Sequence, residues 1–252
     1  GGGAILAWLP VIGWQLAMLI MAGLLVLTSL PVALLAAPAT APMSHDKGAF
    51  KSLFQRKGIW AWLAFLIVYK GGDAFGTAML KPMLIDQGFG LPDIAWLIGT
   101  WGVVAGLAGA ILGGLLIKPL GRYRALALFA VLQALSLTAY GLYVAEYIPK
   151  SGFIWLCVIE HVTGAMATIA IFTVMMDYCR ESHAGLDYSL QSCMVVISGL
   201  VLGALSGFSA QSLGYAMHFY IAAALTVLAC IWVLLNRTSM GLLVQKESQS
   251  DG

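Results

Sequence analysis

The sequence predicts an all-α membrane protein: a six-helix bundle of two inverted three-helix repeats, with one and a half helices ahead of it. Three observations predict this. Only 10% of the residues are charged and 61% are hydrophobic, with a mean hydropathy of +0.92, whereas soluble domains are nearer a quarter charged. Apolar runs long enough to cross a bilayer, about 20 residues each, recur along the chain between short polar loops. The polar residues and glycines inside those runs fall in the same order in two successive triplets.

Taken in order, residues 1–9 read as the end of a membrane helix. The opening Gly1-Gly2-Gly3-Ala4 has no methionine and no basic n-region. That is not a signal peptide, and the expectation is a fragment that begins in the middle of a helix. Pro10 and Gly13 mark a turn, and Trp14–Ala36 is the first complete span, with Trp14 as an interface anchor. Residues 37–57 form the longest polar loop, with His45, Asp46, Lys47, Lys51, Arg56 and Lys57. Phe50, Leu53 and Phe54 interleave with its lysines, the pattern of a short helix on the membrane surface. The bundle proper, residues 58–236, holds six spans at about 59–81, 94–117, 123–146, 152–177, 188–212 and 215–235. Residues 237–252 are polar and are expected to be a disordered tail.

The charges alternate between sides. The loops before 59, at 117–123 and at 177–188, with the tail after 235, carry Lys47, Lys51, Arg56, Lys57, Lys118, Arg122, Arg124, Arg180, Arg237 and Lys246. The opposite loops carry Lys81 and Lys150 beside Asp86 and Asp93. The positive-inside rule therefore puts the central loop and the C-terminus in the cytoplasm. A net charge of +2 gives no sign of a nucleic-acid partner. Cys157, Cys179, Cys193 and Cys230 are scattered without a C-x-x-C, so neither a disulfide framework nor a metal site is expected.

Lys70 and Asp73 stand near the middle of the 59–81 span, where each costs about 2.5–3.5 kcal/mol on insertion scales. Three residues apart, they share a helix face and partly neutralise each other; Leu66 and Thr77 extend that face. They are either a structural ion pair or a substrate or proton site lining a cavity, and intramembrane charges mark transport pathways by default. Glu160 and His161 occupy the fourth span. Histidine titrates near neutrality and can relay protons, and a carboxylate in lipid needs a partner or a proton. Gln133 and Gln191, polar groups inside spans, either line a pore or bridge helices. The first helix of each triplet thus carries ionisable residues. The second carries a glycine stripe, Gly102, Gly106, Gly109 and Gly113 in one, Gly199, Gly203 and Gly207 in the other, which lets backbones approach closely. Inverted three-helix repeats with matched polar sites characterise secondary transporters.

At the cytoplasmic ends, Asp177, Arg180, Glu181, His183 and Asp187 read as a salt-bridge network or a gate latch. There is no Walker loop, dinucleotide fingerprint, G-x-S-x-G or H-E-x-x-H, so no cofactor and no catalytic residues are expected, and the chain does not read as an enzyme.

The stretch Gly114-Leu115-Leu116-Ile117-Lys118-Pro119-Leu120-Gly121-Arg122 resembles the G-x-L-x-D-R-x-G-R signature of the major facilitator superfamily. Gly114, Leu116, Gly121 and Arg122 match; Lys118 and Pro119 replace its acidic and first basic positions, which weakens the latch that the motif makes. Trp62–Leu142 resembles the muropeptide permease branch through Tyr69-Lys70-x-Gly72-Asp73-Ala74-Phe75, Arg124-Ala125-Leu126 and Leu132-Gln133. Glu160-His161-x-x-Gly164, Met176-Asp177 and Asp187-Tyr188-Ser189-Leu190-Gln191 look closer to the siderophore importers of the pyochelin and rhizobactin type.

The resemblance implies a twelve-helix protein. Residues 1–36 would close its N-terminal half (the end of helix 5, then helix 6), 37–57 would be the central loop, and the rest of that half would be a missing partner. The expected function is import of a siderophore or ferric siderophore across the bacterial inner membrane, by proton-coupled alternating access. Muropeptide uptake is the alternative within the class, and a non-transporting receptor or assembly protein the alternative outside it. Lys70, Asp73, Thr77, Gln133, Glu160, His161 and Gln191 are the expected substrate and proton pathway. Gly114, Gly121, Arg122, Asp177, Arg180 and Asp187 are the expected cytoplasmic gate.

Overall fold

The computed structural model describes the backbone of residues 2–34 and 48–247 and, within these, the side chains of 13–31 and 50–236. Every regular element among them is helical. The helices are α1 (Gly2–Leu34), α2 (Ala49–Phe54), α3 (Ile59–Ala78), α4 (Leu80–Asp86), α5 (Leu91–Ile94), α6 (Gly102–Leu120), α7 (Arg122–Val144), α8 (Phe153–Asp177) and α9 (Ala184–Glu247). A π-helical turn, Ala95–Trp101, joins α5 to α6. Six helical stretches are long and apolar enough to cross a membrane, and the protein is a multi-pass membrane protein.

Two of these helices are interrupted. Gly214 has φ 78°, ψ 162° inside α9 and Gly13 has φ 71°, ψ 163° inside α1. Only glycine takes such angles without strain. The apolar stretch 181–236, a 3-10 turn at Glu181–His183 running into α9, is 56 residues long, which is about 84 Å at 1.5 Å per residue. That is far beyond a hydrocarbon core of about 30 Å, so the break at Gly214 converts one stretch into two crossings. The turn expected near Pro10 and Gly13 is likewise the break at Gly13.

The expected spans correspond to α3–α4, α5–α6, α7, α8 and the two arms of α9. A short helix, α2, stands where a membrane-surface helix was expected around Phe50–Phe54, but its Leu53 is 2% exposed and packs into the bundle core. The tail is a correction: the backbone stays helical to Glu247, where the polar composition predicted disorder from about residue 236. The central-loop residues 37–47 and the terminal residues 248–252 lie outside the described residues.

Packing crosses the two triplets. α3 packs against α9, and α6 packs against α8, so the first helix of each triplet meets the second helix of the other. The glycine stripes are where this happens. A side chain on Gly109 would come within 2.3 Å of the Val162 carbonyl, and one on Gly113 within 2.9 Å of Met166 Cα. Gly199 and Gly203 instead stand 3.8 Å, measured from the same kind of added carbon, from Ala74 and Ala78 on α3. Gly106 and Gly207 have open space beside them. The remaining core is apolar and aromatic. One cluster (Phe65, Leu66, Tyr69, Phe129, Ile171) fills the end near residue 59, and another (Leu84, Tyr140, Phe153, Phe219) fills the opposite end. Leu66 belongs to the first of these, so it turns into the core rather than extending the Lys70–Asp73 face.

Candidate functional site

A cleft of about 400 Å³ opens at mid-depth in the bundle, lined by Asp73, Thr77, Leu80, Lys81, Ile98, Gly106, Glu160, His161, Gly164, Ala165 and Thr168. Its ionisable groups are Asp73 on α3, Lys81 on α4, and Glu160 and His161 on α8, so Lys81, read from the sequence as a loop residue, stands in the cleft wall. Lys70 Nζ donates to Asp73 Oδ2 at 2.5 Å and to Thr168 Oγ1 at 3.0 Å, so the i, i+3 pair read from the sequence is formed and tied to α8. Both side chains keep some exposure, 14% and 18%, which sets them apart from a sealed structural pair. Thr77 lines the cleft while donating to the Asp73 carbonyl at 2.8 Å.

Glu160 and His161 pair with each other. His161 Nδ1 lies 2.9 Å from Glu160 Oε2 and 2.9 Å from the Cys157 carbonyl oxygen. Both neighbours accept, so Nδ1 carries the hydrogen, and the ring turns Nε2 toward α6. That nitrogen lies against Gly102, where an added side-chain carbon would be only 2.5 Å away. The π-helical turn ends at Gly102, and such turns recur at functional positions. Gln133 is buried at 1% exposure. It stands behind the cleft rather than in its wall, and reaches it over the bare backbone of Gly164.

Gln191 is placed elsewhere. It is 2% exposed, accepts from Trp62 Nε1 at 2.7 Å and donates to the Met175 carbonyl at 3.1 Å. The structure therefore gives it the helix-bridging position, one of the two that the sequence left open, and keeps it out of the cleft.

The residues expected at the gate divide into two clusters at one end of the bundle. Arg122 pairs with Asp177, joining α7 to α8. Arg180 holds Asp187 through Nε at 2.9 Å, Nη2 at 2.7 Å and its backbone N–H at 3.0 Å, and reaches Ser52 at 2.7 Å. Arg56 is the second cation beside Asp187, at 3.7 Å, and lies over the Tyr178 ring. Asp187 is 1% exposed, and a buried charge needs such partners. Gly121, with φ 78°, turns the chain from α6 into α7, and Gly114 has no neighbour within 4 Å of an added side-chain carbon. The other end of the bundle carries Asp86, which accepts from the Tyr215 hydroxyl at 2.6 Å.

One feature escaped the sequence reading. His218, fully buried on the second arm of α9, shares its Nε2 hydrogen with the Phe75 carbonyl at 3.1 Å. The rule that flagged His161, an ionisable group inside an apolar run, would have found it. Thr168, which with Thr163, Gly164 and Ala167 follows Glu160 and His161 on adjoining faces in the sequence, is the hydroxyl that Lys70 reaches.

The sequence profile described as Major Facilitator Superfamily matches residues 71–250. The chain is 26% identical over 238 residues to the anhydromuropeptide permease of Escherichia coli strain K12, covering 91% of this chain and 48% of that protein. It is 26% identical over 180 residues to the putative transporter AmpG 1 of Rickettsia prowazekii, covering 71% of this chain and 40% of that one. An uncharacterized protein of Haemophilus influenzae is also 26% identical, over 197 residues, 73% of this chain and 46% of its own length. The chain spans about half the length of the curated relatives that it matches.

Proposed function

This chain belongs to the major facilitator superfamily, and from that premise we propose that it acts as the C-terminal half of a secondary transporter importing a muropeptide across the bacterial inner membrane. The observation that carries this reading is the mid-depth cleft whose wall holds Asp73, the partner of Lys70, together with Glu160 and His161. A purely structural bundle needs no charges there, since each is expensive in lipid. The anhydromuropeptide permease among the relatives supplies the substrate class. A muropeptide joins sugar hydroxyls to a peptide bearing carboxylates. Lys70 would attract a carboxylate, and Thr77 and Thr168 would meet hydroxyls.

The basic end, with Arg56, Arg122 and Arg180, faces the cytoplasm in this reading, and its ion pairs brace the helix ends while the bundle rocks against the N-terminal half. Asp73 or Glu160 carries the coupling proton. Import of a siderophore or ferric siderophore is the second reading. It is favoured by Glu160-His161-x-x-Gly164, which lines the cleft, whereas the relatives favour the muropeptide.

The test is uptake by right-side-out vesicles containing the transporter with both halves. Labelled anhydromuropeptide is expected to accumulate under an inward proton gradient, and excess ferric siderophore is expected not to compete. Accumulation of the ferric siderophore alone would move the assignment to the second reading, and accumulation of neither would overturn both.

A further inference from the structure

The oxygens of Asp73 and Glu160 are divided between two tasks. Asp73 gives Oδ2 to Lys70 and Glu160 gives Oε2 to His161. Their other oxygens turn toward one point above Gly164. A carbon placed on Gly164 would lie 3.4 Å from Glu160 Oε1, 3.9 Å from Asp73 Oδ1 and 3.3 Å from Gln133 Nε2. Gln133 is 1% exposed, and its Nε2 has no hydrogen-bond partner among the described residues. A buried amide N–H left bare is costly, so something absent from the protein itself satisfies it.

We infer that the space over Gly164 is a built site for one water molecule, which joins Asp73 to Glu160 as a proton relay. The donor set selects water. Two carboxylate oxygens accept its two hydrogens, and the amide N–H donates to its oxygen, giving three partners within the two to four that a buried water takes. An anion would meet two carboxylates. A metal ion would meet the amide hydrogen, with Lys70 and His161 behind the carboxylates. Glycine is what leaves the room.

The inference rests on the proton-coupled reading above and gives it a route. With Asp73 protonated, its O–H bond breaks as the water oxygen takes that proton. One of the water's own O–H bonds breaks as Glu160 Oε1 takes that hydrogen. Water is regenerated, no electrons change hands, and one proton has moved from the Lys70 side of the cleft to the His161 side.

Gly164→Ala tests it, because the methyl group takes the place of the water and asks neighbouring side chains to move by only a few tenths of an ångström. Purified complete transporter is expected to show an infrared O–H band of a bound water that shifts in H2-18O, and Gly164→Ala is expected to lack it. In vesicles the variant is expected to lose gradient-driven accumulation at least ten-fold. Gln133→Leu removes the donor from a different helix and is expected to behave alike, so it decides the matter should Gly164→Ala fail to fold. Accumulation equal to the parent in the folded variants overturns the relay, and an unchanged water band overturns the site. If the parent ignores the proton gradient, the coupling reading fails and the infrared band alone decides the site. Sodium-driven uptake would likewise overturn the proton coupling and leave the infrared band to decide the site.

Discussion

Replacing Lys70 and Asp73 singly and together separates a pair that only holds helices from a pair that works. Removing one partner of a fully buried ion pair costs about 3–5 kcal/mol, because the other charge is stranded. An exposed pair is worth about 0–1 kcal/mol. With side chains 14% and 18% exposed and a 2.5 Å contact, Lys70→Met belongs between these limits, at about 2–3 kcal/mol. Asp73 would then face Glu160 with its cation gone. Asp73→Asn leaves the Lys70 charge without its counter-ion, with only neutral acceptors such as Thr168 beside it, and is expected to cost a similar amount. Combining the two removes both charges, and the double variant is expected to recover most of that stability, since loss of a whole pair is often neutral. The assay is thermal unfolding in detergent for all three variants, alongside vesicle uptake. Stability near the parent's in the double variant together with lost uptake is the expected pattern. Parental uptake by the double variant would refute the transport role and leave a structural pair.

Glu160→Gln nearly keeps the side-chain shape but cannot exchange a proton. It is expected to lose gradient-driven accumulation and retain exchange without a gradient; accumulation like the parent's assigns coupling elsewhere. Gly109→Ala has no room against the Val162 carbonyl, whereas Gly106→Ala has open space on the same helix. The first is expected to cost about 1–3 kcal/mol by overpacking and to aggregate on size-exclusion chromatography, and the second to elute as the parent does. Ser44→Cys and Ser248→Cys, each in a cysteine-free background, are both expected to resist impermeant thiol reagents in intact cells; rapid labelling of either would reverse the orientation.

What the sequence determined by itself was local. Run length and composition decide which stretches cross a bilayer, because the cost of unpaired backbone and of charge in lipid leaves few other solutions. The division into spans at 188–212 and 215–235 was legible, though not the glycine that makes it, and Lys70–Asp73 was legible because residues three apart on a helix share a face. The tertiary structure decided everything that depends on how one helix is rotated against another. Gln133 and Gln191 look alike in sequence, yet one reaches the cleft over Gly164 and the other ties Trp62 to Met175. Gly106 and Gly109 belong to one stripe, yet only Gly109 has a backbone pressed against it. Spacing shows that a face is small or polar but carries no information on which helix meets it. That choice comes from packing summed over the whole bundle, and it is what brings Asp73, Gln133 and Glu160, from three different helices, to one glycine.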